Sequence, residues 1–142
     1  MDKIQAYTFR LKPKQDLFKE IGTFVDEKGI EAGIILACVG SLTKAALRLA
    51  NSTSYYDTFK GPFEIVSLTG TVSTHGSHLH ISISNGDGPT IGGHLGEGCL
   101  IYTTAEIVIA AFSEVVYKRE HCEASGHSEL VIKEKKKLQN GS

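Results

Sequence analysis

The sequence is poor in the features that most quickly assign a function. It has no tryptophan, one methionine and three prolines in 142 residues. No apolar run approaches the ~20 residues that a helix needs to cross a bilayer. An excess of charge is missing too: 15 Lys and Arg stand against 16 Asp and Glu, a formal net charge of −1. Such a chain has no global attraction for nucleic acid or an anionic membrane. Its three cysteines, Cys38, Cys99 and Cys122, are far apart and contain no CxxC pair. A scattered, odd-numbered set argues against a disulfide framework and for a reducing cytoplasm, each thiol reading as a small buried hydrophobe. The opening MDKIQAYTFRLK alternates apolar and polar residues, unlike the apolar core of a secretion signal.

What is present is an ordinary globular composition, 41% hydrophobic and 22% charged, in a length that encloses one core. The expected organisation is one domain over residues 1–132 and a polar, basic tail over 133–142. Residues 4–11 alternate with period 2 as a strand, which Pro13 ends. Leu17, Phe18, Ile21, Phe24 and Val25 share one helix face, with Asp16 as N-cap and Gly29 as the C′ residue. From Ala32 onward the pattern is β. IILACVG is an apolar run of buried-strand type, with a bend or bulge at Gly40-Ser41, and LTKAALRLA alternates after it. Residues 51–60 read as a polar loop. EIVSLTGTVST reads as a strand bulged at Gly70, and HLHISIS returns as its hairpin partner after Gly76-Ser77. Beyond the turn cluster at residues 85–89 come TIGGHL, YTTAEIVIAAF, VVYKRE and ELVIKE, the β-branched content of the second favouring a strand. The expected fold class is α+β, a single and largely antiparallel sheet with one main helix packed across it.

The chemistry-bearing residues are few. His78 and His80 are spaced i, i+2, so on a strand both rings point to one face and can converge on one cation. Neutral imidazole suits zinc and other late first-row metals. His94 follows two glycines in IGGHLGEG, and adds a third nitrogen if TIGGHL pairs beside HLHIS; Gly92 and Gly93 then let the backbones approach. Three histidines with a position left open form the pattern of a catalytic rather than a structural zinc site. The competing reading of HxH alone is a solvent-facing polar pair. His75 reads as an exposed turn residue, and His121, Cys122 and His127 as a peripheral cluster of soft ligands. Glu64 and Glu106 interrupt strongly apolar strands, so each is either on a solvent face or paired in a site. Arg48 in ALRLA is placed to pair with one of them. Asp87 is a turn residue. The glycine-rich GDGPTIGGHLGEG lacks the spacing of a phosphate-binding loop.

Five blocks in order, GSLTKAALR (40–48), GPFEIVSLTGTV (61–72), HLHISISNGDG (78–88), IGGHLGEG (91–98) and TAEIVIA (104–110), resemble the PPC (plant and prokaryote conserved) domain family. The resemblance covers most of the chain, from the first strand to VVYKRE. It implies an α+β domain that assembles as a homotrimer and is similar in fold to acetolactate decarboxylase, whose metal is held by histidines. The prokaryotic pattern HxH…GGH falls on His78, His80 and His94 and implies one bound transition metal per subunit, zinc first. Plant members of the family bind DNA through a separate AT-hook with an Arg-Gly-Arg-Pro core, which this sequence lacks. Their partner-recruiting segment resembles Gly61-Pro62-Phe63-Glu64-Ile65-Val66, with Pro62 standing here in place of arginine and Val66 in place of leucine. Lys14 occupies a position that is commonly glycine.

Two functions from different classes are compatible with these residues. In the first, the chain is a metal-dependent enzyme, a lyase or hydrolase on a small carbonyl or anionic molecule. The metal would act as a Lewis acid or lower the pKa of bound water toward ~7, with Glu106 as acid–base and Arg48 as carboxylate clamp. In the alternative, it is a DNA-associated or regulatory oligomerisation module without catalysis, aided by Lys133, Lys135, Lys136 and Lys137. With no basic stripe, DNA binding by the chain alone is expected to be weak or absent.

Overall fold

The computed structural model describes residues 2–52 and 54–136. Strand β1 (Ile4–Leu11) is followed by the helix α1 (Leu17–Lys28). Both caps are those the sequence predicts. Asp16 Oδ1 accepts from Lys19 N at 3.0 Å, and Gly29 takes a left-handed φ of 62° while its N–H closes onto Asp26 O and Val25 O. A cap of this kind stabilises a helix by about 1 kcal/mol. Lys14, between β1 and α1, also has a positive φ, 76°, which accounts for the glycine common at that position in the family it resembles.

Five further strands and a hairpin follow: β2 (Gly33–Arg48), β3 (Asp57–Val72), β4 (His78–Asn85), β5 (Thr90–Leu95), β6 (Leu100–Phe112), and then β7 (Val115–Cys122) with β8 (His127–Glu134). The fold is α+β and antiparallel throughout its ladders, with the main sheet in the order β1-β6-β2-β3-β4-β5. Strand β5 pairs with β4 on one edge and with the end of β2 on the other, through Leu47↔Leu95 and Arg48↔His94. Strands β2, β3, β4 and β5 therefore close on themselves. Inside lie Leu47, Leu79, Ile81, Ile83 and Leu95, all buried. Leu17, Ile21 and Val25 of α1 join the same core, beside Ile107 and Ile109 of β6. Phe24 stacks on Phe9 with ring centroids 4.0 Å apart and covers the β1 end.

Four expectations are corrected. The sheet is not single: β7 and β8 pair only with each other. They dock through a few specific contacts, Tyr117 N donating to Glu31 O at 2.8 Å and Ser73 Oγ lying 2.9 Å from Glu31 O and 2.8 Å from Tyr117 O. The loop expected over 51–60 is shorter, because Asp57 to Lys60 pair with Leu47 to Lys44 and extend β3. The bulge expected at Gly70 falls at Val66 instead, where the β3–β4 register shifts between Ile65 and Ser67. Gly70 is in register with Leu79, at φ 145°, and a Cβ there would collide with His78 O. The tail expected from residue 133 begins later, since Lys133 and Glu134 pair with Val116 and Val115; residues 137–142, Lys137 among them, lie outside the described residues.

The cysteines follow their environments. Cys99 is fully buried, and the half-buried Cys38 has its thiol pushed up to about 12 by desolvation. Cys122, half-buried in the hairpin, is held below the usual thiol range by hydrogen bonds from Ser125 and Ala124.

Candidate metal centre

Register brings the three histidines together. His80 and His94 are direct partners across the β4–β5 ladder, and His78 follows the two-residue alternation of β4 onto the same outward face. The approach depends on the neighbouring glycines: a Cβ on Gly93 would stand 2.9 Å from Arg48 O, and one on Gly92 2.9 Å from Ile81 O.

Each ring offers one nitrogen, and these atoms lie within 4.8 Å of one another. The ring centroids are separated by 4.9 Å (His78–His80), 5.2 Å (His78–His94) and 5.7 Å (His80–His94). Tetrahedral ligation at about 2.1 Å from metal to nitrogen places imidazole centres about 5 Å apart. The donor set therefore fits a zinc-type ion with small closure. His94 Nδ1 is buried and has no hydrogen-bond partner, a costly state for a polar atom unless something is meant to meet it.

The electrostatics favour the ligating form of two rings, His94 and His78. Burial lowers the His94 pKa to about 4, helped by the Arg48 guanidinium and by His78 and His80. His78 is lowered by burial first, then by His80 and the guanidinium groups of Arg119 and Arg48, against an opposing pull from Glu129. Neutral imidazole is the state a metal needs.

Three clefts surround the cluster. One of about 440 Å³ is lined by Arg48, Thr69, His80 and His94 among others. A second of about 370 Å³ joins Arg48, His78 and His94 to Arg119, His127 and Glu129 of the hairpin. A third of about 220 Å³ lies between His78, His80, Thr71 and Arg119. Arg48 thus lines two of the three clefts. Glu106 does not join it. It is exposed on β6 opposite Arg10 and Val39, takes a 3.3 Å hydrogen bond from Thr104 Oγ1, and lines none of the three clefts. Gly61-Pro62-Phe63-Glu64-Ile65-Val66 is also elsewhere, within β3, with Phe63 and Ile65 in the core and Glu64 and Val66 outward. His121, Cys122 and His127 form no metal-holding group among the described residues; His121 lies 3.6 Å from Glu123 instead.

Sequence reasoning missed Arg119. Alternation along β7 fixes the side of the strand it occupies. No local signal shows that this side faces the histidines.

Residues 1–113 match the Plants and Prokaryotes Conserved (PCC) domain. Among curated relatives, a bifunctional protein GlmU from Synechococcus sp. (strain JA-3-3Ab) is 43% identical over 91% of this chain, which covers 21% of that protein. The chain thus spans about a fifth of the length of this protein and of its counterpart from a second Synechococcus strain. A hypothetical protein from Salmonella enterica is 36% identical, with 94% of this chain and 96% of its own covered and a TM-score of 0.91. A metal-containing protein from Archaeoglobus fulgidus is 27% identical over 89% and 93% of the two chains, with a TM-score of 0.74. A candidate DNA-binding protein from Bacteroides thetaiotaomicron is 26% identical over 92% and 97%, with a TM-score of 0.78.

Proposed function

The chain belongs to the Plants and Prokaryotes Conserved (PCC) domain family, and from that premise we propose that it is a metal-binding, homotrimeric protein acting on a small carbonyl or anionic molecule. The observation that carries this reading is the convergence of His78, His80 and His94, with the partnerless Nδ1 of His94 among them. These three side chains hold one zinc ion per subunit. Zinc with three nitrogen ligands supplies a Lewis acid with a position left for a ligand. Arg48, half-buried and 3.2 Å from Ser52 O through its Nη1, is fixed beside that position and orients an anionic group. The archaeal relative described as metal-containing supports the same reading. Trimer formation is supported by outward apolar side chains on β2, β3 and β6, and a cytoplasmic setting by three free cysteines. No helix among the described residues is long and apolar enough to cross a membrane.

Metal analysis of the purified protein tests the proposal. About one zinc per subunit is expected in the wild type and less than about a tenth in His78→Ala/His80→Ala. Stoichiometric metal surviving in the double variant would overturn it.

A second reading, a DNA-associated module without catalysis, is favoured by one observation, the description of the Bacteroides relative. Against it, Lys133 and Lys135 already face Glu120 and Glu31 at 3.6 and 3.9 Å. Titration of duplex DNA at two salt concentrations separates the readings. Weak binding that vanishes with salt is expected of a surface without a basic stripe, whereas tight, sequence-selective binding near physiological salt would make the second reading the main one.

A further inference from the structure

Resting on that metal reading, we propose that the centre receives a small carboxylate between Arg48 and Arg119, and that the β7–β8 hairpin is the element that selects it. The two guanidinium groups come from opposite ends of the chain's order. Arg48 is set at the end of β2, in register with His94. Arg119 reaches in from β7, anchored by an Nη2 hydrogen bond of 3.0 Å to Thr71 Oγ1. Both line the same cleft of about 370 Å³ together with His78 and His94, a size that suits a small molecule rather than a polymer. Both are half-buried, and among the described residues neither lies within ion-pair distance of a carboxylate.

Two guanidinium groups lining one cleft repel each other, and an oxyanion placed between them relieves that repulsion. Planar carboxylates match the fork in a bidentate manner. Glu129 also lines the cleft, so the protein contributes two positive charges and one negative there. A carboxylate presents two oxygens that one guanidinium fork can take together, whereas a tetrahedral phosphate would turn a further anionic oxygen toward Glu129. The hairpin lies outside the 1–113 segment that matches the family. Arg119, His127 and Glu129 therefore add a wall to the histidine cluster from beyond that segment.

The test uses the full chain loaded with cobalt(II), whose visible bands report ligands entering the metal's coordination sphere. Malonate and inorganic phosphate are titrated separately, and bound cobalt is measured after each titration. Malonate should bind the wild type more tightly than phosphate does. Arg119→Gln should weaken malonate at least about tenfold, the loss of a charge-assisted hydrogen-bond pair, with cobalt stoichiometry unchanged. Arg119→Lys keeps the charge without the fork, should give an intermediate loss, and replaces the glutamine variant should that fail to fold. Lys118→Gln, an exposed neighbour on the opposite face of β7, should change nothing. Malonate affinity indifferent to both Arg119 variants, or phosphate binding more tightly than malonate, overturns this proposal while leaving the metal reading intact. Failure to take up cobalt overturns both.

Discussion

On β4 the side chains that point outward include His78 and His80, while on β2 and β3 they include Leu36, Val39 and Val66, at 55%, 60% and 58% exposure. Both regions are outer faces of one antiparallel sheet, and both obey the same alternation. The first gathers nitrogen donors and guanidinium groups around clefts. The second gathers aliphatic side chains, with Tyr102 of β6 half-exposed beside them, and offers no cleft at the histidines. On the trimer proposed above, this aliphatic surface is the one that another chain would cover. On the function proposed above, one sheet would divide its outside between chemistry and association, so each half is open to separate perturbation.

The largest expected effect comes from the histidine face. Removing the metal with a chelator, or with His78→Ala/His80→Ala, should lower the melting temperature. A ligand present at about a thousand times its dissociation constant stabilises the native state by about 4 kcal/mol. The molecular mass should not change, and calorimetry with light scattering checks both halves of the statement. Next comes the aliphatic face: Val39→Lys should cut the mass by light scattering from that of a trimer to that of one chain, with zinc per subunit unaltered. A Val39→Lys variant that loses its metal would show that the two faces are coupled rather than separate.

A smaller effect is expected from pH. Burial holds His94 at about 4, below its ordinary 6.5, so between these values the unfolded chain binds the extra proton and the folded chain does not. Stability of the metal-free protein should be full above pH 6.5 and decline as pH falls toward 4. Urea unfolding of the wild type and of His94→Ala at several pH values measures this, the variant being flatter across the window. The smallest effect lies far from both faces. Lys14→Gly relieves a left-handed backbone at φ 76° and should add about 1 kcal/mol of stability without touching metal or mass.

Much of this was legible in the chain. Spacing of two residues placed His78 and His80 on one face, Asp16 and Gly29 bounded α1, and the glycines before His94 announced a close approach. Periodicity tells which side of its own strand a residue takes, and it is silent about which strand comes alongside. This is why VVYKRE and ELVIKE read as strands of the main sheet, and why Arg119 escaped notice. It is also why IILACVG reads as a buried strand while Leu36 and Val39 face outward: an aliphatic run records that burial occurs, and not whether the cover is the chain itself or a neighbour. Glu106 interrupts an apolar strand because β6 carries it outward beside Val39 of β2, away from the histidines.

Strand β5 is only six residues long and touches β2 through just two register pairs. It is the clasp of the closed strand ring, held to β2 by those two pairs. An ion shared by His80 and His94 would span the β4–β5 ladder, so that peeling β5 away requires the ion to leave first. Amide protons of Ile91 to Leu95 would then exchange with solvent at a rate set by free metal concentration, and the histidines would act as a latch on the ring as well as its reactive edge.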